Sequence, residues 1–264
     1  MIKIFFIGDI NGRPGRDALA SLLGPFVKEH GINFVIANGE NSAAGFGITA
    51  EVTRSLLGIG INAITTGNHI WDKKDIIHVI DHMPELLRPN NLPPGNPGKG
   101  FGIFEAKNEA GEAVKVGVIC LVGRIFMQPV DCPFRSADFA VEEIRKTTPV
   151  IITDMHAEAT SEKQALAYYL DGRVSAVLGT HTHVQTADER ILRNGTAYLT
   201  DAGMTGSVDS VIGVKKEMIV RKFLTFMPEK FEIADKEVKI NGAVVTVDEK
   251  TGRSISIERI IISA

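Results

Sequence analysis

Cysteine is nearly absent from this chain: Cys120 and Cys132 are the only two in 264 residues. Two thiols build neither a disulfide framework nor a thiolate zinc site, so a reducing cytoplasm is the expected setting. An excess of one charge is missing too. Lys+Arg 29 against Asp+Glu 32 leaves a net −3, which argues against nucleic-acid recognition by bulk charge. No apolar run approaches the roughly 20 residues of a membrane-spanning helix. The apolar opening Met1–Gly8 is stopped by Asp9 and has no small-residue cleavage site, so it reads as a first strand and not as a targeting segment. Low-complexity linkers, internal repeats and composition breaks are also lacking, and a single domain over 1–264 is expected. What remains is ordinary globular composition, 44% hydrophobic and 23% charged, which excludes wholesale disorder.

Apolar, β-branched runs alternate with helical stretches. Strands are expected at Ile2–Ile7, Asn33–Ala37 and Ile61–Thr65, with helices over Arg16–His30, Thr49–Leu57 and Asp75–His82. Segment 88–100 is turn chemistry throughout. A hairpin of Gly102–Ala106 and Val114–Val122 follows, then a loop over roughly 123–136 and a helix at Phe139–Lys146. Val150–Thr153, Val174–Leu178 and Thr196–Thr200 read as strands, with a helix over Glu162–Leu170. Asn241-Gly242, between Glu237–Ile240 and Ala243–Val247, carries a hairpin-turn signal, and Ser254–Ile262 adds a strand. Together these predict an α/β core with added antiparallel strands.

Chemistry in such sheets collects beyond the carboxyl ends of strands. Here nearly every strand end carries a carboxylate, an amide or an imidazole. They are Asp9 and Asn11, Glu40 and Asn41, Asn68 and His69, Asp154 and His156, His181 and His183, then Asp201. Any one alone reads as a turn residue, a helix cap or a hydrogen-bonded histidine. Their joint placement points to metal binding. Carboxylate, amide oxygen and imidazole suit Mn, Fe, Zn or Ni. So many candidate ligands exceed the needs of one catalytic ion and suit two, as in centres that hydrolyse phosphate esters. Glu40 is placed to bridge such a pair. His181 and His183, two apart, are able to serve different ions. His69 follows Asn68 directly and is spare, which suits proton donation to a leaving alkoxide, with orientation of a neighbour as the alternative.

In order along the chain, Gly67-Asn68-His69, His156 and Gly179-Thr180-His181-Thr182-His183 resemble the blocks of the calcineurin-like metallophosphoesterase superfamily. Two blocks depart from it: Asn11 stands where the superfamily has His, and Glu40 replaces the bridging Asp. The departures are similar to the YmdB-like bacterial phosphodiesterases. So are Gly8-Asp9-Ile10, Gly12-Arg13-Pro14-Gly15-Arg16, Ala37–Asn41, Gly45–Ile48, Thr66–Trp71 and Arg88-Pro89-Asn90. The resemblance implies a four-layer α/β/β/α sandwich with two mixed sheets. It implies Asp9, Glu40, Asn41 and His183 on one metal, and Glu40, Asn68, His156 and His181 on the other. Asn41 then replaces Asn11 as the neutral ligand, and His69 is the proton donor. It further implies iron, with manganese acceptable to the ligands, and hydrolysis of cyclic nucleotides (2′,3′- and/or 3′,5′-cyclic) by metal-activated hydroxide. The partners expected are a small phosphodiester, RNA as an open second substrate, further copies of the chain, and no membrane. Two rival readings stand beside this one. One is a phosphomonoesterase or ribonuclease on the same centre. The other is a metal-bound nucleotide-sensing regulator, which the Asn68-His69 pair disfavours because a binder needs no acid.

Weaker signals have bland readings. Gly8, Gly12 and Gly15 match no nucleotide-binding spacing, although Arg13 and Arg16 are candidates to reach a phosphate. His78 and His82 lack the Glu of a zincin helix and read as a solvated face, and Asn194-Gly195-Thr196 is a formal sequon without meaning in a cytoplasmic chain. The loop Arg124–Arg135 carries Phe126, Met127, Cys132 and Phe134 among prolines, and reads as an active-site wall or an oligomer contact.

Overall fold

The computed structural model describes residues 1–264. In chain order the first elements are β1 (Ile2–Ile7), β2 (Asp9–Ile10), α1 (Gly12–His30), β3 (Phe34–Asn38), α2 (Ala50–Gly58) and β4 (Ala63–Thr65). Next come β5 (Phe101–Lys107), β6 (Ala113–Val122), α3 (Pro133–Arg145), β7 (Ile151–His156), α4 (Thr160–Leu170), β8 (Ala176–Thr180), β9 (Arg190–Ile191) and β10 (Ala197–Leu199). The chain closes with β11 (Met204–Ser207), α5 (Lys216–Thr225), β12 (Val238–Val247) and β13 (Ser254–Ser263). No helix is long and apolar enough to cross a membrane.

Strand alternation builds the layers. In β1, Ile2, Ile4 and Phe6 face one way and Phe5 and Ile7 the other; in β6, Val116, Val118 and Cys120 oppose Ile119 and Leu121. The first set from each strand meets in a buried layer between two sheets. Phe5 and Ile7 pack on Leu19 and Leu23 of α1 and Leu56 of α2. Ile119 and Leu121 pack on Val141 and Ile144 of α3 and Leu166 of α4. The result is the four-layer α/β/β/α sandwich. One sheet runs β2-β11-β12-β1-β3-β4, with β13 added to β12; the other runs β5-β6-β7-β8-β10-β9. Both are mixed: β1, β3 and β4 are parallel, as are β6, β7, β8 and β10, while β12 and β5 run antiparallel to their neighbours.

Four expectations need correction. Asn241-Gly242 makes no turn; it lies inside β12, with Gly242 opposite Ile7 on one side and Ile260 on the other. A Cβ at Gly242 would strike the Phe6 carbonyl, so glycine here serves close strand approach, and the hairpin joins β12 to β13 instead. The expected helix at Asp75–His82 is two 3₁₀ turns, Lys74–His78 and Ile80–His82. Its β-branched run (Ile76, Ile77, Val79, Ile80) disfavours a regular helix, and Pro84 follows closely. α1 starts at Gly12 and α3 at Pro133, earlier than periodicity suggests, because a first helical turn tolerates proline. β7 runs on through Asp154 to His156, so both lie on the strand and not after it.

Candidate metal centre

The parallel strands of both sheets deliver their carboxyl ends to one rim. β1 is followed by Asp9, β3 by Glu40 and Asn41, and β4 by Asn68; β7 ends on His156, and β8 leads into His181 and His183. Asp9, Glu40 and His156 are fully buried. The Glu40 carboxylate lies 2.9 Å from His156 Nε2, which also meets Asn68 Oδ1 at 3.1 Å and His181 Nδ1 at 3.0 Å. The ligand atoms of Glu40, His156 and His181 all lie within 4.8 Å of one another. On the other side of Glu40, Asn41 Nδ2 approaches Glu40 Oε1 at 3.2 Å and His183 Nε2 at 3.0 Å, and Asp9 Oδ1 is 3.9 Å from His183 Nε2. All seven residues singled out as ligands therefore converge, in two groups that share Glu40.

Each imidazole is aimed by a partner on its far nitrogen, the arrangement by which proteins orient metal-ligating histidines. His156 Nδ1 contacts Thr180 Oγ1 at 2.9 Å, and that hydroxyl donates onward to Asp154 at 2.7 Å. His181 Nε2 faces Glu158 at 3.3 Å, and His183 Nδ1 donates to the Ile212 carbonyl at 3.0 Å. His156 Nε2, His181 Nδ1 and His183 Nε2 are left to face the carboxylates. His181 and His183 have φ of 99° and 64°, a left-handed backbone that non-glycine residues seldom adopt and that clusters at functional sites. Gly67 completes the cradle, since a Cβ there would collide with the His156 ring and the Glu40 carboxylate.

The electrostatics leave unspent capacity. Asp9 Oδ1 is buried without a hydrogen-bond partner, while Asp9 Oδ2 accepts the His181 N–H at 3.0 Å. Burial pushes the Asp9 carboxyl up, against the pull of His183 and His156. Burial also acts on Glu40 and His156, but their mutual attraction prevails: Glu40 is held down and His156 up. Burial, reinforced by neighbouring His156, pushes His181 down to about 3, so its ring is neutral and able to ligate. Burial raises Asp154 to about 6 despite His156 and the donors Thr65, Thr180 and Asn38. Two buried carboxylates, three aimed imidazoles and two amides, with an orphaned carboxylate oxygen among them, fit divalent first-row metal ions.

His69 stands apart from this donor set. Its backbone N–H donates to Glu40 Oε2 at 3.2 Å, its Nδ1 meets Asp72 at 2.8 Å, and the Phe46 ring packs edge-on against it at 5.1 Å. A cleft of about 390 Å³ opens on Glu40, Asn41, His69, His181 and His183, walled by Ile212, Val214, Ile219, Phe231 and Ile233. Asn11 lines the same cleft, with its Oδ1 buried and unpartnered. Neither arginine reaches it: Arg13 pairs with Asp17 at the surface, and Arg16 donates to the Ser42 carbonyl. Asp201 turns away to buried Lys163 at 2.7 Å and to Thr182. Sequence reasoning missed Asp72 and Glu158. Asp72 sits three residues after His69, a spacing open to notice; Glu158 carries no local signal.

The sequence model of the family described as YmdB-like protein matches residues 5–260. A 2′,3′-cyclic-nucleotide 2′-phosphodiesterase of Bacillus subtilis (strain 168) is 47% identical over 262 residues, covering 99% of this chain and 97% of that protein. Among solved structures, a protein of Thermus thermophilus superposes with a TM-score of 0.90 at 40% identity, covering 99% of both chains. A phosphatase of Mycoplasma pneumoniae superposes with a TM-score of 0.91 at 35% identity, covering 99% of this chain and 93% of that one.

Proposed function

Because this chain belongs to the YmdB-like family, we propose that it is a metal-dependent phosphodiesterase that hydrolyses cyclic nucleotides. The 2′,3′-cyclic esters are the first choice, after the Bacillus subtilis relative's name, and 3′,5′-cyclic esters the second. The observation that carries the reading is the three imidazoles aimed by Thr180, Glu158 and Ile212 at the two buried carboxylates, beside His69 with an uncommitted Nε2.

Asp9, Glu40, Asn41 and His183 would hold one ion, and Glu40, Asn68, His156 and His181 a second. Iron or manganese suits this set. When bound, such a pair supplies Lewis acidity towards the phosphoryl group and a nucleophile at neutral pH. The chain's own residues do the rest. Asp72 accepts a hydrogen bond from His69 Nδ1 and orients the ring, so that Nε2 is the atom that gives a proton to the leaving ribose oxygen. Phe46 limits the ring's rotation by packing against it. The apolar wall from Ile212 to Ile233 keeps bulk water from one side of the cleft.

The test is to purify the protein without added metal, count its metals by mass spectrometry, and assay a panel of cyclic diesters, linear diesters and monoesters. Two transition-metal ions per chain and a preference for cyclic diesters are expected. Faster turnover of monoesters, or tight nucleotide binding with negligible turnover, would overturn the reading.

A further inference from the structure

The loop after β6 is the feature the mechanism leaves unused. Both of its ends are fastened. Gly123 N–H donates to the His156 carbonyl at 2.9 Å. Glu162 of α4, a buried carboxylate, accepts the N–H groups of Arg124 at 3.1 Å and Ile125 at 3.3 Å. Buried Asn91 ties the two ends together: it donates to the carbonyls of Val122 and Asp131 and accepts the Val122 N–H. A backbone tied down in this way is expected to hold its tip still. Yet the tip is apolar and open: Ile125 is 46% exposed and Phe126 90%, with φ of 60° at Phe126. A solvated loop has no use for a rigidly presented, unpacked phenyl ring.

The ring's location supplies one. Phe126, Met127 and Gln128 line a cavity of about 330 Å³ together with Asn68 and His181. His181 also lines the cleft described above, so the two hollows share a residue of the proposed metal centre. The volume is at the lower end of small-ligand sites, about 300–1,000 Å³. It offers a flat aromatic face, a soft thioether and an amide that both donates and accepts, which together match the face and edge of a nucleobase. Of the aromatics lining the cleft, Phe46 already packs against His69, and Phe231 carries Lys222 Nζ over its face at 4.7 Å. We propose that the loop 123–131 is the nucleobase platform of the site, Phe126 stacking on the base and Gln128 hydrogen-bonding its edge while the phosphoryl group lies at the metal centre. The proposal rests on the phosphodiesterase reading for the identity of the substrate.

The purified metal-loaded protein and its Phe126→Ala and Phe126→Tyr variants are assayed on adenosine 2′,3′-cyclic phosphate and on glycerol 1,2-cyclic phosphate, a diester without a base. Phe126→Ala is expected to raise KM for the nucleotide about tenfold or more with little change in kcat, the mark of lost uniform binding. It should leave the glycerol ester unaffected, and Phe126→Tyr should restore the nucleotide. Equal effects on both esters, or none on the nucleotide, would overturn the platform. Should the unmodified protein cleave neither ester, the phosphodiesterase reading fails, and calorimetry still decides the pocket. Adenosine 3′-monophosphate binding weakened in Phe126→Ala, with inorganic phosphate binding unchanged, supports it; unchanged binding of both overturns it.

Discussion

His69 keeps one ring nitrogen uncommitted while Asp72 holds the other at 2.8 Å, and nothing ties its side chain to the seven converging ligands. His69→Ala is therefore expected to retain the proposed metals and lose about 10²–10⁴-fold in turnover. The loss should shrink on nitrophenyl esters, whose leaving group needs no proton. Equal losses on both kinds of ester would mean that the ring orients or binds instead. Asn41 and Asn11 pose a sharper question, because both line the cleft and Asn11 Oδ1 is buried without a partner. Only Asn41 lies within hydrogen-bond reach of both Glu40 and His183, and a half-turn of its amide puts oxygen in place of nitrogen. Asn41→Ala should deplete one ion and Asn11→Ala neither, read by metal analysis of the purified variants; depletion by Asn11→Ala would transfer the role. The converging residues were legible because they sit at strand ends, all but His156 in Gly-led blocks, where backbone geometry and chemistry coincide. Thr180, Glu158 and the Ile212 carbonyl were not. A hydroxyl, an exposed acid and a backbone oxygen have no signature until the fold brings them beside an imidazole.

The ends of β8 and β10 are built around a buried ion pair. Asp201 accepts Lys163 Nζ at 2.7 Å, the Thr182 N–H at 3.1 Å and the Thr182 hydroxyl at 2.8 Å, and so fixes the residue between His181 and His183. Lys163→Met would leave that carboxylate buried and unpaired. A stability loss of about 3–5 kcal/mol in urea titrations is expected, with weaker metal retention at denaturant concentrations where the chain is still folded. Next to it, Asp188 accepts hydrogen bonds from the Thr200 hydroxyl and N–H and from the Thr186 hydroxyl. Burial pushes its carboxyl up, but these donors outweigh burial and hold it below the ordinary value of 3.8. The stability this contributes is fully present above that value and is lost as pH falls through the lower folded one. Asp188→Asn should thus lower the melting temperature at pH 7 and have less effect near pH 3; an equal effect at both would exclude the carboxylate. Elements were legible where one face of a strand or helix is apolar. β12 was misread because glycine marks a turn and a close strand approach with the same letter. α5 was missed because Val220, Phe223 and Leu224 lie exposed, so its apolar residues trace no buried face.

The two sheets are joined by one buried layer of 21 residues, drawn mainly from β1, β3 and β12 on one side and from β6, β7, β8 and β10 on the other. Neither sheet covers that face without the other, which predicts a single cooperative unit over the whole chain. The proposed metal centre crosses the same divide: Asp9, Glu40, Asn41 and Asn68 follow strands of the first sheet, whereas His156, His181 and His183 belong to the second. An ion held by residues of both sheets binds only while the sheets are together, so its binding free energy adds to the stability of the whole. At free metal one hundred times the dissociation constant the gain is about 2.7 kcal/mol. For a chain near this size each kcal/mol is worth about 2–4 °C. Scanning calorimetry of the chelator-treated and metal-reloaded protein should therefore show one transition in each case, with the loaded form melting about 5–10 °C higher. Glu40→Ala, which removes the proposed shared ligand, should melt as one transition and lose the metal-dependent rise. Two separable transitions, with only one moved by metal, would mean that the sheets unfold independently and that the centre is held by one of them.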